Sequence, residues 1–363
     1  MLGLYIHVPF CVSKCPYCDF YSLPLPDDAV LDAYTAEVCR RLERLPSYQA
    51  DTLYFGGGTP SLLGGTRLAR IVNTAKGLTS DAEITLEANP ADELYDTFAA
   101  FAQAGGNRIS LGMQAANDRS LQTLGRRHTT AQLHTAVADA HRAGIDNLSL
   151  DIMLATPSQT EEDLLDAVRE VSALGASHVS AYLLKIEPDT PFYARQDTLN
   201  LPDEDTAADR YWQCCEALQN AGYAQYEISN FAKEGKQSRH NLKYWNSEDY
   251  IGIGPAAHSF YDGKRWYYER SFEAFMNGAS PIPEDPDSAV ADGSEDEYAM
   301  LRLRLTDGLR FDLFEKRFGH PVPTVWKDRA VALPRSLVIT DNNRIALTRE
   351  GFLLSNALTA RII

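Results

Sequence analysis

No apolar run in this 363-residue chain approaches the roughly 18 residues that a membrane-spanning helix needs, so no span is expected. The opening stretch, MLGLYIHVPF, lacks a basic start and a sustained apolar segment, and a secretory signal is not expected either. Positive charge is scarce: 34 Lys and Arg stand against 50 Asp and Glu, a formal net charge of −16. No basic cluster exceeds pairs such as Arg126-Arg127, so a phosphate backbone would be repelled and nucleic acid is not an expected partner. The glycine triplet of FGGGTPS (55–61) lacks the Lys-Ser/Thr of a phosphate loop, which disfavours nucleoside triphosphates. Cysteine is sparse too, six in all. In the reducing cytoplasm, where such a chain is expected, these should be thiols or metal ligands and not disulfides.

Those few cysteines are unevenly placed. Cys11, Cys15 and Cys18 fall within HVPFCVSKCPYCDF (7–20) at C-x3-C-x2-C spacing. Cys39 and Cys214-Cys215 lie in apolar-periodic helical stretches, where a free cysteine behaves as a small hydrophobe. Structural zinc needs four ligands, and His7 or Asp19 would have to be the fourth. A [4Fe–4S] cluster normally takes four thiolates, and three leave one iron open to a small molecule. Incidental grouping is the third reading. Tight spacing and aromatic flanks favour the cluster, then zinc. Pro9 and Pro16 disfavour a helix, so the segment should loop around its metal.

A composition of 44% hydrophobic and 23% charged residues is globular, and the length suits one large domain plus a small one. Short apolar runs read as strands at 4–8, 52–55, 83–88, 108–113, 148–154 and 178–184. Helical patterns lie between them, among them TRLARIVNTAKG, DELYDTFAAFAQAG, TAQLHTAVADAHRAG and EEDLLDAVREVSALG. Six such units predict an α/β fold, an open partial (β/α)6 barrel of the TIM type. Glu87, Gln114 and Asp151 fall at or just beyond strand ends, the face on which barrel sites are built. The stretch 279–297 holds three prolines and seven acidic residues, which is linker chemistry. Beyond it, helices at 295–305, 311–318 and 323–333 and a hairpin turning at Asp341-Asn342-Asn343 predict a winged-helix-like module. Its 11 basic and 9 acidic residues are too balanced for DNA binding. The expected divisions are a barrel (1–190), an extension (191–280), a linker (281–294) and a tail domain (295–363).

C-x3-C-x2-C with an aromatic, Tyr17, before the last cysteine resembles the signature of the radical SAM enzymes. The resemblance implies a [4Fe–4S] cluster on Cys11, Cys15 and Cys18, with S-adenosylmethionine (SAM) chelating the open iron. YIHVPFC, GGGTP, LEANP, GMQ and LDIM, in this order, are similar to the branch containing the oxygen-independent coproporphyrinogen III dehydrogenase, and the tail matches as well. Carried over by position, Tyr5, Tyr17, Gly57, Gly58, Thr59, Glu87, Gln114, Arg126 and Asp151 would line the SAM region.

Two departures from that dehydrogenase stand out. Its fourth cysteine is replaced within Cys18-Asp19-Phe20, and the segment that precedes its first barrel strand has no counterpart before Leu4. Instead RHNLKYW (239–245) resembles the H-N-x-x-Y-W motif of the heme chaperones in the same branch. The resemblance implies heme bound by His240, Tyr244 and Trp245, with acceptor hemoproteins as partners. Whether these belong to the respiratory chain, and whether the chain is a homodimer, is left open. His258, after the glycine-rich GIGPAAH, is read as structural. The expected function is heme binding and delivery; the alternative is oxidative decarboxylation of coproporphyrinogen III.

Overall fold

The computed structural model describes residues 1–284 and 291–363. Residues 285–290 of the expected linker lie outside the described residues.

All six expected strands form, and they pair in chain order. Leu2–Val8, Ala50–Gly57, Leu78–Ala88, Arg108–Gln114, Leu148–Leu154 and His178–Leu183 are mutually parallel neighbours. A further parallel strand, Tyr250–Ile253, pairs with the outer side of Leu2–Val8. Antiparallel strands extend both edges: His178–Leu183 receives Asn230–Ala232, and Tyr250–Ile253 receives His258–Tyr261 and then Lys264–Tyr267. The segment after residue 190 therefore feeds both ends of one twelve-stranded open sheet.

Alternation along each strand sorts chemistry onto two faces. Leu4, Ile6, Leu53, Phe55, Ile84, Leu86, Ile109 and Leu111 are buried in one continuous core. Each such side chain contributes roughly 1.5–3 kcal/mol on full burial. The intervening residues are polar and meet one another on the opposite face. Tyr54 donates to Glu87 at 2.7 Å, Ser110 to Asp151 at 3.4 Å, and Tyr182 to Gln114 at 2.9 Å. The register sets the first two of these meetings on the diagonal: Tyr54 stands opposite Thr85 and Ser110 opposite Ser149, two positions before Glu87 and Asp151. A sheet covered by helices on one face thus keeps a polar lumen on the other.

Helices Thr130–Arg142 and Glu161–Ala173 begin with reciprocal capping boxes, Thr129 with Gln132 and Thr160 with Asp163. Cys39 and Cys214-Cys215 are buried on Asp28–Glu43 and Glu204–Asn220, as the helical patterns predict. The tail has helices Glu295–Arg302, Phe311–Phe318 and Thr324–Val331 and a hairpin of Val338–Thr340 with Arg344–Leu347. Leu309–Arg310 adds a third strand, completing the winged-helix arrangement, and helices Arg349–Leu353 and Ser355–Ile362 follow. The tail is fastened to the barrel side by Arg265 with Glu297 at 2.6 Å and by Arg302, which bonds Asn246. No helix is long and apolar enough to cross a membrane among the described residues.

Candidate functional site

The cysteine segment leaves the C-terminal end of the first barrel strand. Only Phe10–Cys11 is extended, paired with Leu23–Pro24, and the residues between loop outward as the prolines predict. Cys11, Cys15 and Cys18 are all half-buried thiols, and the Cys18 amide donates to the Cys15 carbonyl at 3.1 Å. The glycine triplet docks beneath the loop: Gly58 and Thr59 amides donate to Val8 and Phe10 carbonyls, each at 2.8 Å. A Cβ on Gly58 would lie 2.6 Å from the Phe10 carbonyl oxygen. Gly57, at φ +114°, would carry one 2.8 Å from the His7 ring. Glycine is required at both positions by close approach, and at Gly57 by backbone conformation too.

Two polar side chains reach the sulfurs. Arg126 Nη1 lies 3.5 Å from Cys15 Sγ, and Thr59 Oγ1 lies 3.6 Å from Cys11 Sγ. Arg126 also donates to the Gly112 carbonyl at 2.9 Å, which ties the loop to the fourth barrel strand. Tyr17 packs edge-on against Phe192, and burial pushes its phenol well up. Gln114 ends its strand at φ +65°, a left-handed conformation that is costly for a residue with a side chain. Burial raises Glu87 to about 7 and Asp151 to about 6. Both carboxyls sit in the lumen with the buried Arg108, whose positive charge opposes those shifts. Glu87, Gln114 and Asp151 thus face the lumen, and Tyr17, Thr59 and Arg126 gather at the cysteine loop.

His240 sits lower. Its helix, Arg239–Trp245, is capped by Ser238, and the ring is buried at 1% exposure. Nδ1 is 2.8 Å from Thr52 Oγ1, and Nε2 is 2.8 Å from the Tyr244 hydroxyl. The ring also stacks on Tyr54 at 5.1 Å. Burial pushes it down to about 3, so it is neutral. The motif's resemblance implies His240 as an iron ligand; in this conformation both ring nitrogens already have partners.

Tyr244 and Trp245 line a cavity of about 620 Å³ that also holds Tyr5, Gly57 and Glu87. Of the positions expected to hold SAM, Tyr5, Gly57 and Glu87 border this cavity; of those expected to hold heme, Tyr244 and Trp245 do and His240 does not. His7, Phe20, Tyr21, Tyr267, Tyr268, His258 and Arg270 complete much of the rest. Sequence reading missed most of these. The aromatic density of RWYYER (265–270) was the available signal.

The Radical SAM superfamily domain matches residues 5–171, and the HemN C-terminal domain matches residues 296–354. Heme chaperone HemW of Mycobacterium tuberculosis is 35% identical, covering 99% of this chain and 94% of its own length. HemW of Escherichia coli is 39% identical over 84% of this chain and 83% of its own, and that of Bacillus subtilis 32% identical over 98% and 97%. The chain belongs to the HemW family. Its fold is also that of coproporphyrinogen III oxidase (HemN) from E. coli, a radical SAM enzyme, at TM-score 0.80 and 19% identity, covering 99% of this chain and 89% of that one.

Membership of the HemW family, and through it of the radical SAM superfamily, implies a [4Fe–4S] cluster and SAM, and the residues present fit both. Three soft thiolates with cationic and hydroxyl donors beside their sulfurs suit an iron–sulfur cluster. Zinc fits poorly. Both nitrogens of His7 are engaged, by the Tyr5 hydroxyl at 3.1 Å and the Tyr21 carbonyl at 3.0 Å. Burial raises the Cys18 thiol, and as a ligand Cys18 would be held as the thiolate by the metal's charge. For SAM, the lumen offers carboxyls at Glu87 and Asp151, the Gln114 amide and a buried Arg126 Nε without a partner.

Proposed function

We propose that this chain is a heme chaperone that holds heme in the aromatic cavity and passes it to acceptor hemoproteins in the cytoplasm. The observation that carries the reading is the cavity itself. Its size lies within the usual range of ligand pockets, about 300–1,000 Å³, and aromatic side chains dominate its lining. Flat apolar walls suit a porphyrin face, and Arg270 offers a cation to a propionate. The HemW names of its relatives point the same way.

Within that reading, Tyr244 and Trp245 form a wall and His240 holds Tyr244 in place. For His240 to ligate iron, the helix Arg239–Trp245 has to shift and release Thr52 and Tyr244. Cys11, Cys15 and Cys18 would hold the cluster, and Tyr5, Tyr17, Gly57, Gly58, Thr59, Glu87, Gln114, Arg126 and Asp151 the SAM region. When bound, the two supply reductive one-electron cleavage of a sulfonium bond. The chain's own part is to loop thiolates around the iron, aim Arg126 at a sulfur and shield the lumen. Asp19, Phe20 and Tyr21, directly after Cys18, join that loop to the cavity wall.

The test is to mix anaerobically reconstituted protein separately with hemin and with coproporphyrinogen III. A Soret band from a stoichiometric complex, transfer of that heme to an apo-hemoprotein, and no protoporphyrinogen above a cluster-free control are the expected results. Turnover of coproporphyrinogen without a heme complex would assign the chain to the dehydrogenase reaction.

A further inference from the structure

Three histidines border the aromatic cavity or its wall, and their ring nitrogens are not equally available. His240 is spent on Thr52 and Tyr244, and His7 on Tyr5 and Tyr21. Burial pushes them down to about 3 and about 4, so both are neutral hydrogen-bonding members of the lumen. His258 differs. Its side chain is 57% exposed and lines the cavity, and Nδ1 lies 3.0 Å from Glu284 Oε1. No described residue bonds its Nε2.

The surroundings fix this ring in place. His258 lies on strand His258–Tyr261, directly opposite Tyr267 in the register, and its ring stacks on Tyr267 at 5.3 Å with an interplanar angle of 23°. Glu284 follows the adjoining strand, Ile282–Pro283, and its amide donates to the Arg265 carbonyl at 3.1 Å. A carboxylate on Nδ1 puts the proton there and leaves the lone pair on Nε2. That is the arrangement metal-ligating histidines use: the carboxylate sets the tautomer and raises the basicity of the opposite nitrogen. Ring, strand and carboxylate are thus preset for a metal approaching from the cavity. Arg270, whose Nη2 bonds the Asp19 carbonyl at 2.7 Å, borders the same space and can meet a carboxylate of the ligand.

We propose that His258, through Nε2 and with Glu284 setting its tautomer, ligates the iron of a metalloporphyrin held in this cavity. The inference rests on the heme reading above and assigns the iron to a residue outside the H-N-x-x-Y-W motif. It needs no opening of the Arg239–Trp245 helix, because Nε2 of His258 is available as the chain stands. Tyr244 and Trp245 then cover the macrocycle, and His240 acts as a positioning residue behind them.

The experiment titrates hemin into the full-length, cluster-reconstituted protein and follows the Soret and visible bands and the ferric-heme EPR spectrum. His258→Ala should remove the imidazole-ligated signature while iron, sulfide and far-UV circular dichroism stay unchanged. His258→Gly with added imidazole should restore the signature, which a merely structural role would not do. Glu284→Gln should keep the ligand but weaken heme binding about tenfold, the usual effect of losing an outer-shell carboxylate. His240→Ala should leave the axial signature intact. A His258→Ala spectrum identical to wild type, with the signature lost in His240→Ala, overturns this inference and leaves the heme reading standing. Wild-type protein that forms no complex with hemin removes the heme reading, and this inference with it.

Discussion

His240 and Tyr244, one helical turn apart, are joined by a 2.8 Å hydrogen bond between Nε2 and the phenol oxygen. The bond is enclosed: His240 is buried, and burial holds the Tyr244 phenol well above its usual range. With Thr52 on the other ring nitrogen, the imidazole links the second barrel strand to the cavity wall.

Tyr244→Phe should therefore destabilise the protein by about 1–3 kcal/mol, the cost of a buried polar group left without its partner. Urea unfolding followed by circular dichroism measures this. The aromatic wall survives the change, so heme binding should persist. A variant as stable as wild type would show that the bond does not hold the wall.

The cluster assignment predicts about four iron and four sulfide per chain after reconstitution. Alanine at Cys11, Cys15 or Cys18 should abolish the brown chromophore. Cys39→Ala should keep it, because Cys39 is buried on helix Asp28–Glu43 within the hydrophobic core, away from the loop. Iron and sulfide assays with visible absorption decide the matter. Zinc without sulfide in anaerobically purified protein would count against the cluster.

Arg126 places a guanidinium 3.5 Å from Cys15 Sγ. Positive charge and hydrogen bonds to cluster sulfurs favour the reduced form. Arg126→Gln should lower the reduction potential of the cluster without loss of iron, as read by a redox titration monitored by EPR. An unchanged potential would mean that the guanidinium does not feel the cluster.

Lumen titration gives a fourth prediction. Glu87 is raised to about 7 by burial, so the folded state holds its proton up to higher pH than the unfolded chain, where about 4.5 is normal. Its contribution is fully present below the unfolded value and is lost as pH rises toward 7. Buried His7, His128 and His240 are lowered to about 4, about 4 and about 3, and they act in the opposite sense. They favour the fold above about 6.5 and cost stability as pH falls. The isolating comparison is Glu87→Gln against wild type. The melting temperature of the variant should gain on that of wild type between pH 5 and about 8, measured on cluster-free protein. A constant difference across that range would place the Glu87 proton elsewhere.

Much of the barrel was legible because its signals are local. Alternation with period two identifies a strand wherever one face packs on helices, and all six expected strands form. The helices after Thr129 and Thr160 were read from their apolar pattern, and the structure adds the capping boxes that start them. Leu309–Arg310 escaped notice because two residues carry no period; pairing with Arg344–Leu347 is what makes them a strand. Tyr250–Ile253 was missed as a seventh parallel strand for a similar reason. Its partner is Leu2–Val8, at the opposite end of the barrel sequence.

The sequence by itself determined the thiol loop and the six barrel strands, because each follows from spacing within a few residues. Only the tertiary structure decided which histidine has a nitrogen to spare. Thr52 meets His240 across 188 positions of chain, and Glu284 meets His258 across 26. A motif fixes which side chain stands at a position. The hydrogen-bond partners that occupy or free its ring nitrogens come from elements that approach only when the sheet is assembled, and burial then fixes the ring's charge.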